Sequence, residues 1–210
     1  MSTPPTLTDA PGGETKCADS LERASFAMHR ITSERFERMV EAGILGEKEP
    51  IFLWKGRLVE KMTKGVAHFY AVSALYYALV ELRPAGYVTF QEQPLRILDD
   101  SRPEPDLIVA RGGRRDYRGR IPSSRDVALI VEVADSSLAV DAGEVLETYA
   151  GQGIPVYWIV NLPNRQIEVH QGPTEPARYR ECRHYLPGES VPVVLDGVEV
   201  GLVLVDDILP

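Results

Sequence analysis

The chain has 210 residues, 44% of them hydrophobic and 26% charged, and a net charge of −8. That is a globular composition, long enough for one domain to bury its own core without disulfides or a structural metal. Two cysteines exclude a disulfide framework, the negative balance argues against a non-specific nucleic-acid coat protein, and no apolar run approaches the ~18 residues of a membrane-spanning helix.

Residues 1–20 are rich in Pro, Thr, Gly, Asp and Ser and read as a disordered leader; residues 21–210 form the single domain. The leader lacks the basic and apolar stretches of a secretory signal, and reduced thiols fit a cytoplasmic protein. Ser33 is placed to cap a helix over about 34–42, with Phe36, Met39 and Val40 as its apolar stripe. I-F-L-W, Lys55-Gly56 and R-L-V-E-K-M predict a β-hairpin. A long helix follows over about 66–83, stopped by Pro84 and Gly86. Extended segments are predicted over about 87–97, 106–110 and 127–134, then a helix at about 141–151 and a strand at V-Y-W-I-V. The tail, about 165–205, reads as short strands, with Asp196-Gly197 as a hairpin turn. This order predicts an α/β fold with a mixed sheet, an N-terminal hairpin and a C-terminal β-hairpin extension.

Two carboxylates sit where carboxylates are costly. Glu132 lies inside V-A-L-I-V-E-V-A, a run that otherwise reads as a strand buried on both faces. Asp106 follows Pro105 and opens L-I-V-A. A buried ionised acid must be paired, hydrogen-bonded or metal-bound. Each acid alone could cap a turn or pair with an arginine. A common explanation is that both meet at one divalent cation. Oxygen ligands suit Mg²⁺ or Mn²⁺, which can polarise a phosphodiester and acidify an attacking water.

P-D-L-I-V, a loop, L-I-V-E-V, D-S-S, G-E-x-L-x-x-Y and I-P-V-Y-W-I-V occur in that order. With G-R-L-V-E-K-M and His68 upstream, this set resembles the putative restriction endonuclease family, or Uma-type endonucleases, of the PD-(D/E)XK nuclease superfamily. The resemblance spans roughly residues 30–170. It implies a restriction-endonuclease-like αβββαβ core at about 66–160, with Asp106 and Glu132 as the two motif acids. It further implies metal-dependent cleavage of DNA, with the Val133 carbonyl as a third metal ligand.

The superfamily pattern places a lysine two residues after the second acid, where this chain has Ala134. In the family the lysine is often displaced into a G-E-K context on the next helix; here Val145 follows Gly143-Glu144. No lysine exists after residue 64. Lys64 and Lys61 are the candidate replacements, with His68 nearby as a proton shuttle or phosphate ligand. Each could equally be an ordinary surface or locally bonded side chain. Glu60, Glu92 and Glu144 could serve as auxiliary acids, but a solvated or structural role fits each of them better. Tyr149, Tyr157 and Trp158 fit core packing, and the four histidines, His29, His68, His170 and His184, show no metal-type spacing.

Between the two acidic strands, Arg111, Arg114, Arg115, Arg118 and Arg120 crowd ten residues. If the loop starts and ends beside the acids, it could grip a DNA backbone; its arginines could instead pair with nearby acids. Cutting both strands of a duplex needs two sites, which points to a possible homodimer. The reading is a metal-dependent DNA endonuclease. Its alternative, favoured by the absent lysine, is a catalytically impaired nuclease fold that binds DNA or protein.

Overall fold

The structure, a computed structural model, describes residues 27–46 and 49–210. The expected leader lies outside the described residues.

The first helix, α1 (Ser33–Glu41), is capped one residue earlier than expected: the Thr32 side chain, not that of Ser33, accepts from the Arg35 N–H. Strands β1 (Ile51–Trp54) and β2 (Arg57–Glu60) form the predicted hairpin. Its two turn residues, Lys55 and Gly56, both have positive φ, as a tight two-residue turn requires. Helix α2 (Val66–Leu82) follows, then β3 (Tyr87–Gln91), β4 (Leu107–Arg111) and β5 (Val127–Ala134). The expected extended run over 87–97 stops at Gln91, because Glu92 adopts φ +49° and turns the chain out of the ladder. The expected helix at 141–151 is broken. A single turn, α3 (Leu138–Val140), runs into a wide turn over Asp141–Val145, and α4 (Leu146–Gly151) completes it. The break lies at Gly143, whose φ of −113° and ψ of −105° no regular helix accommodates.

Strand β6 (Val156–Asn161) is buried throughout. Strands β7 (Gln166–Thr174) and β8 (Arg178–Tyr185) do not form a separate extension. They continue the main sheet, whose order is β3-β4-β5-β6-β7-β8. Only β5 and β6 pair in parallel. The real appended hairpin is β9 (Ser190–Leu195) with β10 (Val198–Leu204), followed by the short α5 (Val205–Ile208).

The sheet is covered on both faces, which is why β5 reads as near-continuous hydrophobic sequence. One face buries Val131, Val133 and Trp158 against Leu75 and Leu79 of α2 and against the β9–β10 hairpin. The other buries Ile130, Ala134 and Ile159 with Tyr149 of α4. No helix among the described residues is long and apolar enough to cross a membrane.

Candidate active site

Register brings the two acids together. Strands β4 and β5 are antiparallel, with Leu107 opposite Val131. One step further stand Asp106 and Glu132, and the Asp106 N–H donates to Glu132 Oε2 at 3.2 Å. Glu132 also accepts from the Tyr149 hydroxyl at 3.0 Å. Tyr149 is fully buried, as expected of core, but its polar end belongs to this site.

Asp106 is buried and accepts from three donors. Lys64 Nζ donates to Oδ1 at 2.7 Å, and the Val133 N–H donates to Oδ2 at 2.8 Å. His68 Nε2 lies 3.1 Å from Oδ2 and must carry the proton, since a carboxylate only accepts. Burial alone would raise the Asp106 pKa. The His68 hydrogen bond and the Lys64 charge more than reverse this and hold the carboxyl below its ordinary value. Burial likewise pulls the Lys64 pKa down, but Asp106 and Glu92 raise it above its ordinary value, so Lys64 is a firm cation. Glu92 accepts from Lys64 Nζ at 2.5 Å. The Val133 carbonyl points to the same side as its N–H, as strand geometry dictates, and so toward Asp106.

Sequence reasoning missed Asp141. It lies in the broken segment before Gly143, is buried, and lines the same cavity as Asp106 and Glu132. Burial first, and then the Asp106 charge, push its carboxyl up to about 6. Glu132 is pushed well above its ordinary value by burial, Asp106 and Asp141. The signal available was a single acid between Val140 and Ala142, ahead of a glycine.

The cavity holds about 600 Å³. Its acidic floor is walled by Phe52, Trp54 and Val59 of the N-terminal hairpin and by Val140 and Val145 opposite. Glu144 ties the hairpin across it, accepting from Trp54 Nε1 and Lys55 Nζ, each at 3.0 Å. Glu144 is therefore a strap rather than an auxiliary acid. Lys61 lines the cavity but is paired to Glu104 at 2.5 Å, and Glu60 is exposed outside it.

Acid pairing leads to a prediction in the absence of metal. An acid with a raised pKa destabilises the fold once ionised: for Asp141 the loss begins near the ordinary value of 3.8, grows as pH rises, and is complete above about 6. Asp141→Asn should therefore stabilise the chelator-treated protein at pH 7 by on the order of 2–3 kcal/mol, and by much less at pH 4. Urea denaturation at the two pH values measures both.

The basic loop is not where the sequence reading put it. It joins the ends of β4 and β5 remote from the acids, five residues away on each strand, or roughly 16 Å. None of Arg111, Arg114, Arg115, Arg118 or Arg120 lines the acidic cavity. Arg111 instead clamps the β9–β10 turn, donating through Nε to Asp196 at 2.8 Å and through Nη1 to the carbonyls of Arg125 and Val127. Arg120 pairs with Asp126 at 2.7 Å and holds its carboxyl down at about 2. Arg114, Arg115 and Arg118 form no ion pair among the described residues. Arg111→Ala should cost about 1–2 kcal/mol in urea denaturation, allowing for its partial exposure.

Asp106, Glu132 and Asp141 line the cavity with oxygen donors only, and burial together with neighbouring carboxylates pushes the Glu132 and Asp141 carboxyls up. Oxygen donors are the kind that hard divalent cations take, and among the described residues no three His, Cys, Asp or Glu side chains are already grouped around one point.

No curated protein matches this chain. Among solved structures, a putative nuclease belonging to DUF820 from Anabaena variabilis shares the fold: TM-score 0.63 at 18% identity, covering 85% of this chain and 97% of that one. A family model described as "Putative restriction endonuclease" matches residues 33–205. That match takes in both acids, Lys64, His68 and the appended hairpin, and this chain belongs to the Uma2 family of putative restriction endonucleases.

Proposed function

We propose that the protein is a divalent-metal-dependent endonuclease that hydrolyses DNA phosphodiester bonds in the cavity around Asp106 and Glu132. One observation carries this reading: Lys64 Nζ sits 2.7 Å from Asp106 Oδ1, which in turn neighbours Glu132, and this supports Lys64 as the stand-in for the lysine missing from the motif. Asp106 and Glu132 would hold Mg²⁺ or Mn²⁺, with the Val133 carbonyl available as a further ligand. When bound, such an ion polarises the phosphodiester and makes attacking water more acidic.

The chain's own groups do the rest. Val133 N–H and His68 fix the Asp106 carboxylate in one orientation. Tyr149 and the Asp106 N–H do the same for Glu132. Lys64, held as a cation, stabilises negative charge developing on the phosphoryl oxygens. His68 lines the cavity beside Asp106, where a proton shuttle or phosphate ligand would stand. Arg114, Arg115 and Arg118, exposed on the remote loop, contribute salt-dependent contacts to DNA backbone leaving the cavity.

Incubating plasmid with the protein and Mg²⁺ or Mn²⁺ tests the proposal. Metal-dependent nicking or linearisation supports it. Salt-sensitive DNA binding without cleavage in either metal overturns it in favour of a catalytically impaired nuclease fold.

A further inference from the structure

A second group of ligating side chains lies elsewhere on the sheet. Antiparallel pairing of β7 and β8 sets His170 opposite Cys182 and Glu168 opposite His184. Residues directly paired share a face, as do residues two apart along a strand, so the four side chains form one block. Sequence spacing hid it, because the partners are twelve and sixteen residues apart. Glu132, Ile159, Glu168 and His184 are successive register partners across β5 to β8. At about 4.8 Å per strand, His184 stands roughly 14 Å from Glu132, so this block is separate from the acidic cavity.

We propose that Cys182, His170 and His184, with Glu168 as fourth ligand, bind a zinc-class cation on the β7–β8 ribbon. Cys182 Sγ is 3.4 Å from His184 Nε2 and 3.8 Å from His170 Nε2. Tetrahedral zinc, with bonds of about 2.3 Å to sulfur and 2.0–2.1 Å to nitrogen, holds the two atoms about 3.5 Å apart. Both observed separations lie within a few tenths of an ångström of that value. His170 Nε2 is 3.8 Å from Glu168 Oε2. The other oxygen, Oε1, accepts from Asn161 Nδ2 at 2.6 Å and Gln166 Nε2 at 2.9 Å, so the carboxylate is oriented from behind, as ligating carboxylates are. The thiol-and-imidazole set selects a softer ion than the all-oxygen cavity does.

Among the described residues no three His, Cys, Asp or Glu side chains are already grouped to hold an ion. The block is closed only pairwise, and binding has to draw His184 and His170 together around the sulfur. Cys182 and His184 are exposed on β8, the edge strand, where a change of rotamer displaces no packed neighbour. His170 is the anchored member, buried with its ring stacked on Tyr157 at 6.1 Å. A reactive-thiol role suits Cys182 poorly, since burial and Glu168 push its thiol up.

The test is a titration of the full chain, stripped of metal, with Co²⁺ and then Zn²⁺. The expected result is one equivalent of tetrahedral cobalt with a thiolate-to-cobalt charge-transfer band, displaced by zinc. Cys182→Ser should abolish the band, and His184→Ala and His170→Gln should each weaken binding at least tenfold. Cys17→Ser and Glu132→Gln should leave it unchanged. Absence of the band overturns the proposal, as does its survival in Cys182→Ser or full-strength binding in the exposed-site variant His184→Ala. Each of these outcomes leaves the endonuclease reading untouched, because none of them involves the acids of the cavity.

Discussion

Asp106→Asn and Glu132→Gln are each expected to lower plasmid cleavage in Mg²⁺ or Mn²⁺ by roughly 10²–10³-fold or more, while DNA binding persists. The two losses have different structural signatures. Asp106 accepts from Lys64, His68 and the Val133 N–H, so its loss strands donors beside a buried position. Stranding a buried donor costs about 1–3 kcal/mol, and Asp106→Ala should therefore unfold at lower urea as well as fail to cut. Glu132 is the opposite case. Burial, Asp106 and Asp141 hold its carboxyl well above the ordinary range, so its ionised form strains the metal-free fold. Glu132→Gln keeps the shape, keeps an acceptor for Tyr149 and removes the charge. In chelator at neutral pH it should be more stable than the wild type, and in metal it should be inactive. A residue whose neutral replacement gains stability and loses activity is held for function rather than for folding. If Glu132→Gln cuts at the wild-type rate, these acids are not the catalytic pair.

The central strand was legible because its physics is local. V-A-L-I-V-E-V-A is buried on both faces, so it reads as a continuous apolar run, and β5 spans Val127–Ala134 as expected. Glu132 stood out against that background. Its pairing with Asp106 followed once the two strands were neighbours. The same antiparallel pairing, carried through, moves the basic loop away: Arg111 ends β4 and Val127 begins β5, so a loop between them lies at the end opposite residues 106 and 132. The loop's charge pattern was visible, but its position depended on strand direction. Asp141 was hidden for another reason. Asp141 in V-D-A-G-E looks like any solvated helix residue until Gly143 breaks the helix and the residue is found buried in the cavity. Strands β7 and β8 looked like an appendage because an antiparallel pair ending in a largely exposed strand reads alike whether it joins the main sheet or stands apart.

Lys64→Ala should reduce kcat by roughly 10²-fold with little change in substrate affinity, and Lys64→Arg should recover part of that loss. The pair of substitutions separates two chemistries. A general base must be deprotonated before it can accept a proton, and arginine stays protonated, so Lys64→Arg would be as inactive as Lys64→Ala if Lys64 acted as a base. Asp106 and Glu92 hold Lys64 above its ordinary pKa, which favours the cation and hence recovery by arginine. The position has a physical rationale. Ala134, where the motif would carry lysine, is fully buried in the apolar cluster with Tyr149 and Ile154, so a lysine there would have to displace packed side chains. Lys64 enters from the loop before α2, its side chain is 40% exposed, and two carboxylates receive it. Ala134→Lys combined with Lys64→Ala should accordingly destabilise the protein without restoring cleavage. Recovered activity in that double variant would show that the cavity accepts the motif lysine after all and that Lys64 is dispensable.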